Sequence, residues 1–199
     1  MKKVNLYFFR HGETDWNREK RFQGSNNIPL NQTGRDQAEE LKNKIERLPL
    51  EVVISSDLIR AVETAAIAIS NLSLPKYFFA ELREANLGDM EGMFRKDFLE
   101  QFGNEMWQQW VSPKPEHLDF KFHGGETKRE TRQRVIDCVE KFISTSQHNH
   151  VAVSTHGGVI SRIVHFCENA PLEPVAIPNT CLYHIVWDHG RWVFVGEVC

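Results

Sequence analysis

The sequence predicts an α/β fold: a three-layer sandwich in which helices cover a mostly parallel sheet that has an antiparallel edge. Three observations support this prediction. Short β-branched or aromatic segments alternate with amphipathic helical segments along the chain, which is typical of βα units. The last two strand-like segments are separated by turn-forming residues, which predicts a hairpin at one edge. The 199 residues, of which 41% are hydrophobic and 26% charged, suit one globular domain.

Six segments are predicted strands because they are short, rich in β-branched and aromatic residues, and bounded by turn-forming residues. In chain order they are Val4–Phe9, Val52–Ser55, Tyr77–Phe79, Val151–Ser154, Leu182–Trp187 and Trp192–Gly196. The turn between the last two is Asp188-His189-Gly190.

Four segments are predicted helices because their apolar residues recur every three or four positions and form one stripe. They cover residues 34–48, 58–72, 127–146 and 158–167. Three of them lie between predicted strands and the fourth directly follows one, which favours a largely parallel sheet.

Residues 85–125 break this alternation and are rich in Met, Phe and Trp. We predict a helical insertion there that covers one end of the sheet as a lid. The alternative is that its aromatic side chains only fill a small satellite core. The expected organisation is therefore one domain over residues 1–199, with the lid insertion at about 85–125.

Composition and missing motifs exclude several classes of function. The net charge of −3 excludes a globally basic nucleic-acid-binding protein. No apolar stretch reaches the ~18 residues of a membrane span, and the apolar run near the N-terminus is too short for a signal peptide. GxGxxG, GxxxxGK and HExxH motifs are missing, which leaves nucleotide-binding and zinc-protease functions unsupported. We expect a cytoplasmic protein whose four cysteines are reduced thiols.

Basic residues, histidines and one carboxylate follow four predicted strands at their ends. Arg10 and His11 follow the first strand, Arg60 the second, Glu84 the third and His156 the fourth. Ligands of open α/β sheets bind beyond these ends. Two guanidinium groups in one pocket repel each other unless an anion lies between them, and their planar forks match phosphate oxygens. The residues therefore predict a site for a phosphoryl group.

These residue types also suit phosphoryl-transfer chemistry. A neutral histidine can attack phosphorus if one ring nitrogen is free, and Gly12 could offer its carbonyl to the other nitrogen. A second histidine, if protonated, would stabilise charge on the transferring oxygens. The carboxyl group of the glutamate, in its protonated form, can protonate the leaving oxygen. The structural alternative is that the histidines are satisfied core residues and that a buried arginine pairs with a carboxylate such as Glu63.

Several motifs follow one another along the chain. They are RHGETDWN at 10–17, RFQG at 21–24, IPLNQTGRDQA at 28–38, SSDLIRAVETA at 55–65, LRE at 82–84, GDMEG at 88–92, GGE at 124–126, THGG at 155–158 and PNT at 178–180. Together they resemble the histidine phosphatase superfamily, in its phosphoglycerate-mutase-like branch, over nearly the whole chain. Met90 stands where this family usually has an aromatic residue.

The resemblance implies a role for each matching residue. His11 is expected to be the nucleophile that becomes phosphohistidine, and Glu84 the proton donor. The residues expected to hold or border the phosphoryl group are Arg10, Asn17, Gln23, Gly24, Arg60, His156 and Gly157, the last through its backbone N–H. The family uses no metal, so no cofactor is expected.

The resemblance further implies a metal-independent phosphomonoester hydrolase that acts on a small phosphorylated metabolite through phosphohistidine. The short chain and the rim sequence QGSNN at 23–27 are similar to the short broad-specificity and α-ribazole phosphatases. The alternatives are a cofactor-dependent phosphoglycerate mutase and an inactive phospho-ligand-binding module. We expect neither nucleic acid nor membrane as partner, and the sequence leaves open whether the protein is a monomer or a dimer.

The lid leaves two questions open about the rest of the substrate. Its aromatic residues Phe94, Phe98, Trp107 and Trp110 suggest an apolar part of the substrate, although core packing explains them equally well. Basic side chains of the lid region and the following helix suggest a second anionic group, although solvation explains them too. These are Arg95, Lys96, Lys121 and Lys128.

Overall fold

One mixed six-stranded sheet forms the centre of the computed structural model, which describes residues 2–199. Its strands are β1 (Lys3–Arg10), β2 (Val52–Ser56), β3 (Lys76–Phe79), β4 (His150–Thr155), β5 (Leu182–Asp188) and β6 (Arg191–Glu197). Their order across the sheet is β3-β2-β4-β1-β5-β6. β1 to β4 are parallel, β5 pairs antiparallel with β1, and β6 pairs antiparallel with β5. The predicted sheet is confirmed, including its antiparallel edge.

Helices cover both faces of the sheet, as predicted. The helices of the described residues are α1 (Asp15–Arg18), α2 (Gln32–Ile45), α3 (Ile59–Ala68), α4 (Arg95–Val111), α5 (Lys128–Thr145) and α6 (Gly157–Val164). Of these, α2, α3, α5 and α6 pack on the sheet. Alternate side chains of β1 divide between two cores. Leu6 and Phe8 pack with α5 and α6, whereas Tyr7 and Phe9 pack with α2 and α3.

The hairpin between β5 and β6 agrees with the sequence prediction. The two residues between β5 and β6, His189 and Gly190, have φ of 54° and 84°, as the tight hairpin turns that match strand twist require. All four cysteines are free thiols: Cys138, Cys167, Cys181 and Cys199. No helix within residues 2–199 is both long and apolar enough to span a membrane.

Residues 85–125 contain α4 and two short 3-10 turns, Gly88–Met90 and Pro115–His117. Gly103, with φ of 79°, interrupts α4. A third apolar cluster lies here, in which Phe22, Phe98 and Phe122 are buried against one another. Phe98 is therefore a packing residue, as the satellite-core alternative proposed.

Candidate active site

The carboxyl ends of β1, β2 and β4 meet at one edge of the sheet, beside a cavity of about 620 Å³. Arg10, His11, Arg60 and Glu84 line this cavity. The parallel register places them together, because Arg10 at the end of β1 pairs with Thr155 at the end of β4. The sheet edge thus assembles residues that are up to about 145 positions apart in the chain.

His11 is buried, with 3% of its surface exposed. Its Nδ1 donates to the carbonyl oxygen of Gly12 over 2.7 Å, which leaves Nε2 as the unprotonated nitrogen. Burial, followed by the charges of Arg60 and Arg10, holds the pKa of His11 well below its ordinary value of 6.5. The ring is therefore a neutral imidazole with one free lone pair, which is the form that can attack phosphorus.

Close backbone packing fixes the loop that carries His11. A Cβ on Gly12 would lie 2.2 Å from the carbonyl oxygen of Gly34 at the start of α2. The Gly12 N–H donates to Thr64 Oγ1 over 3.0 Å, and Asn179 Nδ2 donates to the His11 carbonyl over 2.9 Å. The nucleophile is thus held by contacts from α2, α3 and the loop before β5.

Arg60 is fully buried and makes no salt bridge within residues 2–199. Its guanidinium donates to the carbonyl oxygens of Asn26 (2.6 Å) and Gly24 (2.8 Å), and to Nδ1 of His156 (3.2 Å). Burial lowers its pKa to about 10, so it remains charged at neutral pH. Glu63, the suggested partner, instead accepts from the Leu30 N–H. Arg60 therefore carries a positive charge that no salt bridge of the described residues neutralises, and a bound anion would neutralise it.

His156 is also fully buried, and its ring lies 5.2 Å from that of His11 between centroids. Nδ1 accepts from Arg60, so Nε2 carries the proton and donates to Ser56 Oγ over 2.9 Å. Burial and the Arg60 charge hold the pKa of His156 well below 6.5. The sequence predicts that the second histidine stabilises charge on the transferring oxygens if its ring is protonated. The ring of His156 is neutral here, so that condition does not hold. In this arrangement the ring holds Arg60 in place.

Arg10 is held through the loop before β5, because its Nη1 donates to the Ile177 carbonyl over 2.6 Å. Its Nε is buried without a hydrogen-bond partner. Burial lowers its pKa from 12.5, which leaves it cationic at neutral pH. A second guanidinium therefore faces the cavity without a carboxylate in a salt bridge, as a site for a multiply charged anion requires.

Glu84 faces the two arginines from the loop after β3. Its Oε2 accepts from the Gly158 N–H (2.8 Å) and its Oε1 from its neighbour Ala85 (3.0 Å). Arg134 on α5 donates to the carbonyl oxygens of Arg83 (2.9 Å) and Glu84 (3.1 Å). The backbone that carries the carboxylate is thus fixed from α5 and α6.

The remaining predicted residues border the cavity. Asn17, Gln23, Gly24 and Gly157 all line it. Asn17 Oδ1 accepts from the Thr14 N–H at the start of α1 over 3.2 Å. Gln23 is 8% exposed and its Oε1 has no hydrogen-bond partner.

Sequence reasoning missed several residues that the structure places at the site. Glu91 accepts hydrogen bonds from the rim loop, and Asn179 binds the His11 backbone. Arg132 and Arg162 line the cavity. The sequence could have indicated Arg162 as a site residue, because it is a charged residue among the apolar positions of α6. Within residues 2–199, no group of three or more His, Cys, Asp or Glu side chains is arranged to hold a metal ion.

The family model described as histidine phosphatase superfamily (branch 1) matches residues 6–198. The chain belongs to this superfamily. The match includes the motif residues that line the cavity, so the resemblance of the sequence motifs is confirmed.

Relatives within the histidine phosphatase superfamily carry different names. The chain is 27% identical to the uncharacterized phosphatase PhoE of Bacillus subtilis over 185 residues, 92% of this chain and 88% of PhoE. It is 27% identical to the probable phosphoglycerate mutase GpmB of Escherichia coli over 198 residues, 98% of this chain and 90% of GpmB. The structure of Bacillus stearothermophilus YhfR superposes with a TM-score of 0.84 at 30% identity, covering 97% of this chain and 96% of YhfR.

Proposed function

We propose that the protein hydrolyses a small phosphomonoester through a phosphohistidine intermediate on His11. One observation carries the proposal. The His11 ring is neutral, with Nδ1 bound to the Gly12 carbonyl, and the free Nε2 lies near Arg10 and Arg60, neither of which makes a salt bridge within residues 2–199. A neutral nucleophile beside uncompensated positive charge suits attack on a phosphate dianion. The name of the relative PhoE also supports a phosphatase.

In the first step, His11 Nε2 attacks phosphorus in line with the bond to the leaving oxygen. The P–O bond breaks, and Glu84 gives its proton to that oxygen, so the product leaves as an alcohol. Arg10 and Arg60 neutralise the equatorial oxygens, and the proton stays on Nδ1, which donates it to the Gly12 carbonyl oxygen.

In the second step, water enters on the side that the alcohol has left. Glu84 is now a carboxylate and accepts a proton from this water as its oxygen attacks phosphorus. The P–N bond breaks, phosphate leaves, and Nε2 recovers its lone pair. Each group ends in its initial protonation state, so one phosphomonoester and one water give one alcohol and one phosphate.

Trapping of labelled phosphate tests the proposal. The protein, mixed with a ³²P-labelled phosphomonoester and quenched in base, is expected to carry acid-labile label on His11. The variant His11→Ala is expected to lose both the label and turnover, because no other nucleophile replaces the ring. An exposed histidine, changed in His123→Gln, provides the control. If the wild-type protein binds vanadate but gives neither label nor phosphate, the inactive binding module replaces the proposed phosphatase.

A phosphoglycerate mutase is the second candidate, because GpmB is a relative over nearly the whole chain. A mutase would pass the phosphoryl group from the histidine to a hydroxyl of bound phosphoglycerate instead of water. Incubation with 3-phosphoglycerate, with and without 2,3-bisphosphoglycerate, separates the two. We expect phosphate release; interconversion of phosphoglycerates without release would establish the mutase instead.

A further inference from the structure

The cavity continues past the catalytic residues to a second group of basic side chains. Lys128 and Arg132 are four residues apart on α5 and so lie on one face of that helix. Arg162 comes from α6, which packs against α5. All three line the cavity. We refer to Lys128, Arg132 and Arg162 as the distal cluster.

The positive charge of the distal cluster is not balanced by a salt bridge. None of its three members pairs with a carboxylate anywhere in the described residues. Arg162 donates Nη1 to the Gly158 carbonyl over 2.6 Å, while its Nε and Nη2 are buried without partners. Arg132 Nε is likewise buried and unpartnered. Most buried polar side-chain atoms in folded proteins have a hydrogen-bond partner, so these three nitrogens are donors available to a ligand.

Lys128 is in an unusual position for a lysine. It is 3% exposed and occupies the first turn of α5, where the helix dipole disfavours a cation. Its Nζ donates to the carbonyl oxygens of Gln109 (2.6 Å) and Ser112 (2.8 Å) near the end of α4. Burial and the charge of Arg162 lower its pKa to about 8. An ammonium group has three protons, so one donor remains after these two bonds.

The charge of the whole cavity is far from balanced. Seven Arg and Lys side chains line it, against a single carboxylate, Glu84, among residues 2–199. A transferred phosphoryl group accounts for the positive charge of Arg10 and Arg60. Of the other five, Arg21 pairs with Glu19 and Arg95 lies over the Trp107 ring. The distal cluster remains, with Trp110 beside it at 4.5 Å from the Arg162 guanidinium carbon to the ring centre. The distal cluster and Trp110 thus form a cavity wall with both cationic and aromatic side chains. Such a wall suits a leaving group that carries a negative charge.

We propose that the substrate carries a second oxyanion, a carboxylate or phosphate, on its leaving group, and that Lys128, Arg132 and Arg162 bind it. This inference rests on the proposed phosphatase function and names its substrate class. It assigns the distal cluster to substrate selection, while the residues at the strand ends perform the transfer.

Matched substrates test the inference. Straight-chain alkyl phosphates of increasing length are compared with analogues of the same length that end in a carboxylate or in a second phosphate. The leaving group is a primary alcohol in all of these substrates. Differences in kcat/KM therefore report how well the protein recognises the group at the far end of the chain. For the best length, the wild-type protein is expected to prefer a charged analogue by about 10-fold or more. The carboxylate and phosphate series show which oxyanion is recognised, and a preference for either supports the inference.

Variants assign the preference to the distal cluster. Lys128→Met and Arg162→Met are each expected to bring the ratio of kcat/KM, charged over plain analogue, close to one. Lys141→Met, at an exposed position of α5, is the matched control and should keep the wild-type ratio. Lys128 also hydrogen-bonds to carbonyl oxygens near the end of α4, so its removal affects packing as well as charge. Arg132→Gln is therefore included, because it leaves these hydrogen bonds intact. Thermal unfolding confirms that each variant is folded.

Two results would overturn the inference while leaving the phosphatase function in place. One is hydrolysis of plain alkyl phosphates as fast as that of every charged analogue. The other is a preference for charged analogues that survives in all three cluster variants. A different result, no phosphate release from any substrate and no label on His11, would instead refute the proposed function.

Discussion

A histidine that attacks phosphorus must keep one ring nitrogen unprotonated, and two physical effects act together on His11 to ensure this. Burial removes the ring from water, and two nearby guanidinium groups disfavour a further positive charge. The Gly12 carbonyl then selects which nitrogen carries the single proton. The arginines therefore bind the phosphate and also preserve the nucleophile.

Glu84 should matter most when the leaving oxygen is a poor leaving group. We expect Glu84→Gln to lower kcat for alkyl phosphates by about 10²–10⁴-fold, the usual contribution of a general acid. Formation of the phosphohistidine from 4-nitrophenyl phosphate should slow far less, because 4-nitrophenolate leaves without a proton. Single-turnover kinetics on both substrates measures the difference. If Glu84→Gln slowed phosphohistidine formation equally from an alkyl phosphate and from 4-nitrophenyl phosphate, Glu84 would not be the proton donor.

Single residues divide into those that the sequence could predict and those that it could not. His11, Arg60 and Glu84 follow strand ends, and topology alone brings strand ends to one edge of the sheet. The sequence suggested Lys128 as a contact for a second anionic group, but its meeting with Arg162 depends on how α5 packs on α6. Helical periodicity fixes which face of a helix is apolar, but it does not fix which cations of two helices share a cavity.

At the level of elements, the rim loop at residues 23–27 links Glu91 to Arg60. Glu91 Oε1 accepts from the Ser25 N–H (2.8 Å), and its Oε2 accepts from Asn26 Nδ2 (2.6 Å). The same loop supplies the Gly24 and Asn26 carbonyls that hold Arg60. Gly24 adopts a φ of 52°, and a Cβ there would lie 2.0 Å from Glu91 Oε1. Glu91 is therefore a positioning residue that acts through the loop.

Removal of the Glu91 carboxylate should loosen the rim loop and with it Arg60. We expect Glu91→Ala to weaken vanadate binding and to lower kcat/KM by about 10-fold or more, since several part-buried donors lose their acceptor. Vanadate inhibition constants and initial rates measure both effects. Glu100→Ala, on the exposed face of α4, is the control. A Glu91→Ala variant with wild-type affinity for vanadate would show that the loop holds Arg60 without this carboxylate.

Elements were predicted most accurately where periodicity was regular. All six strands lie within two residues of their predicted bounds, because each is short and flanked by turn-forming residues. α2 begins two residues early, at Gln32, since the Asn31 side chain accepts from the Gly34 N–H and caps the helix there. The interruption of α4 at Gly103 was not predicted, because a single glycine in a helical pattern does not reveal its φ.

For the whole molecule, the two buried neutral histidines make folding depend on pH. Below about pH 6.5 the rings of His11 and His156 take up protons in the unfolded chain but not in the folded one. The unfolded state then binds more protons, so the free energy of unfolding falls as the pH falls. The slope approaches about 1.4 kcal/mol per pH unit for each histidine.

Urea unfolding between about pH 7.5 and pH 5.5 measures this dependence in a range where most carboxyl groups stay ionised. The wild-type protein should lose stability toward the acidic end, and His156→Gln should lose less over the same range. His11→Gln provides a second variant with the same expectation. His123→Gln, at an exposed position, should follow the wild type. A stability curve that is flat across this range would contradict the neutral buried rings.

The excess of positive charge in the cavity also affects the rate at which an anionic substrate reaches the site. The chain as a whole has a net charge of −3, while the cavity walls are strongly positive, so the outer surface is predominantly negative. A diffusing anion is repelled over most of that surface and attracted toward the cavity, which guides productive encounters. Dissolved salt shortens the range of this field to about 8 Å at physiological ionic strength. Capture should therefore be fastest in dilute buffer.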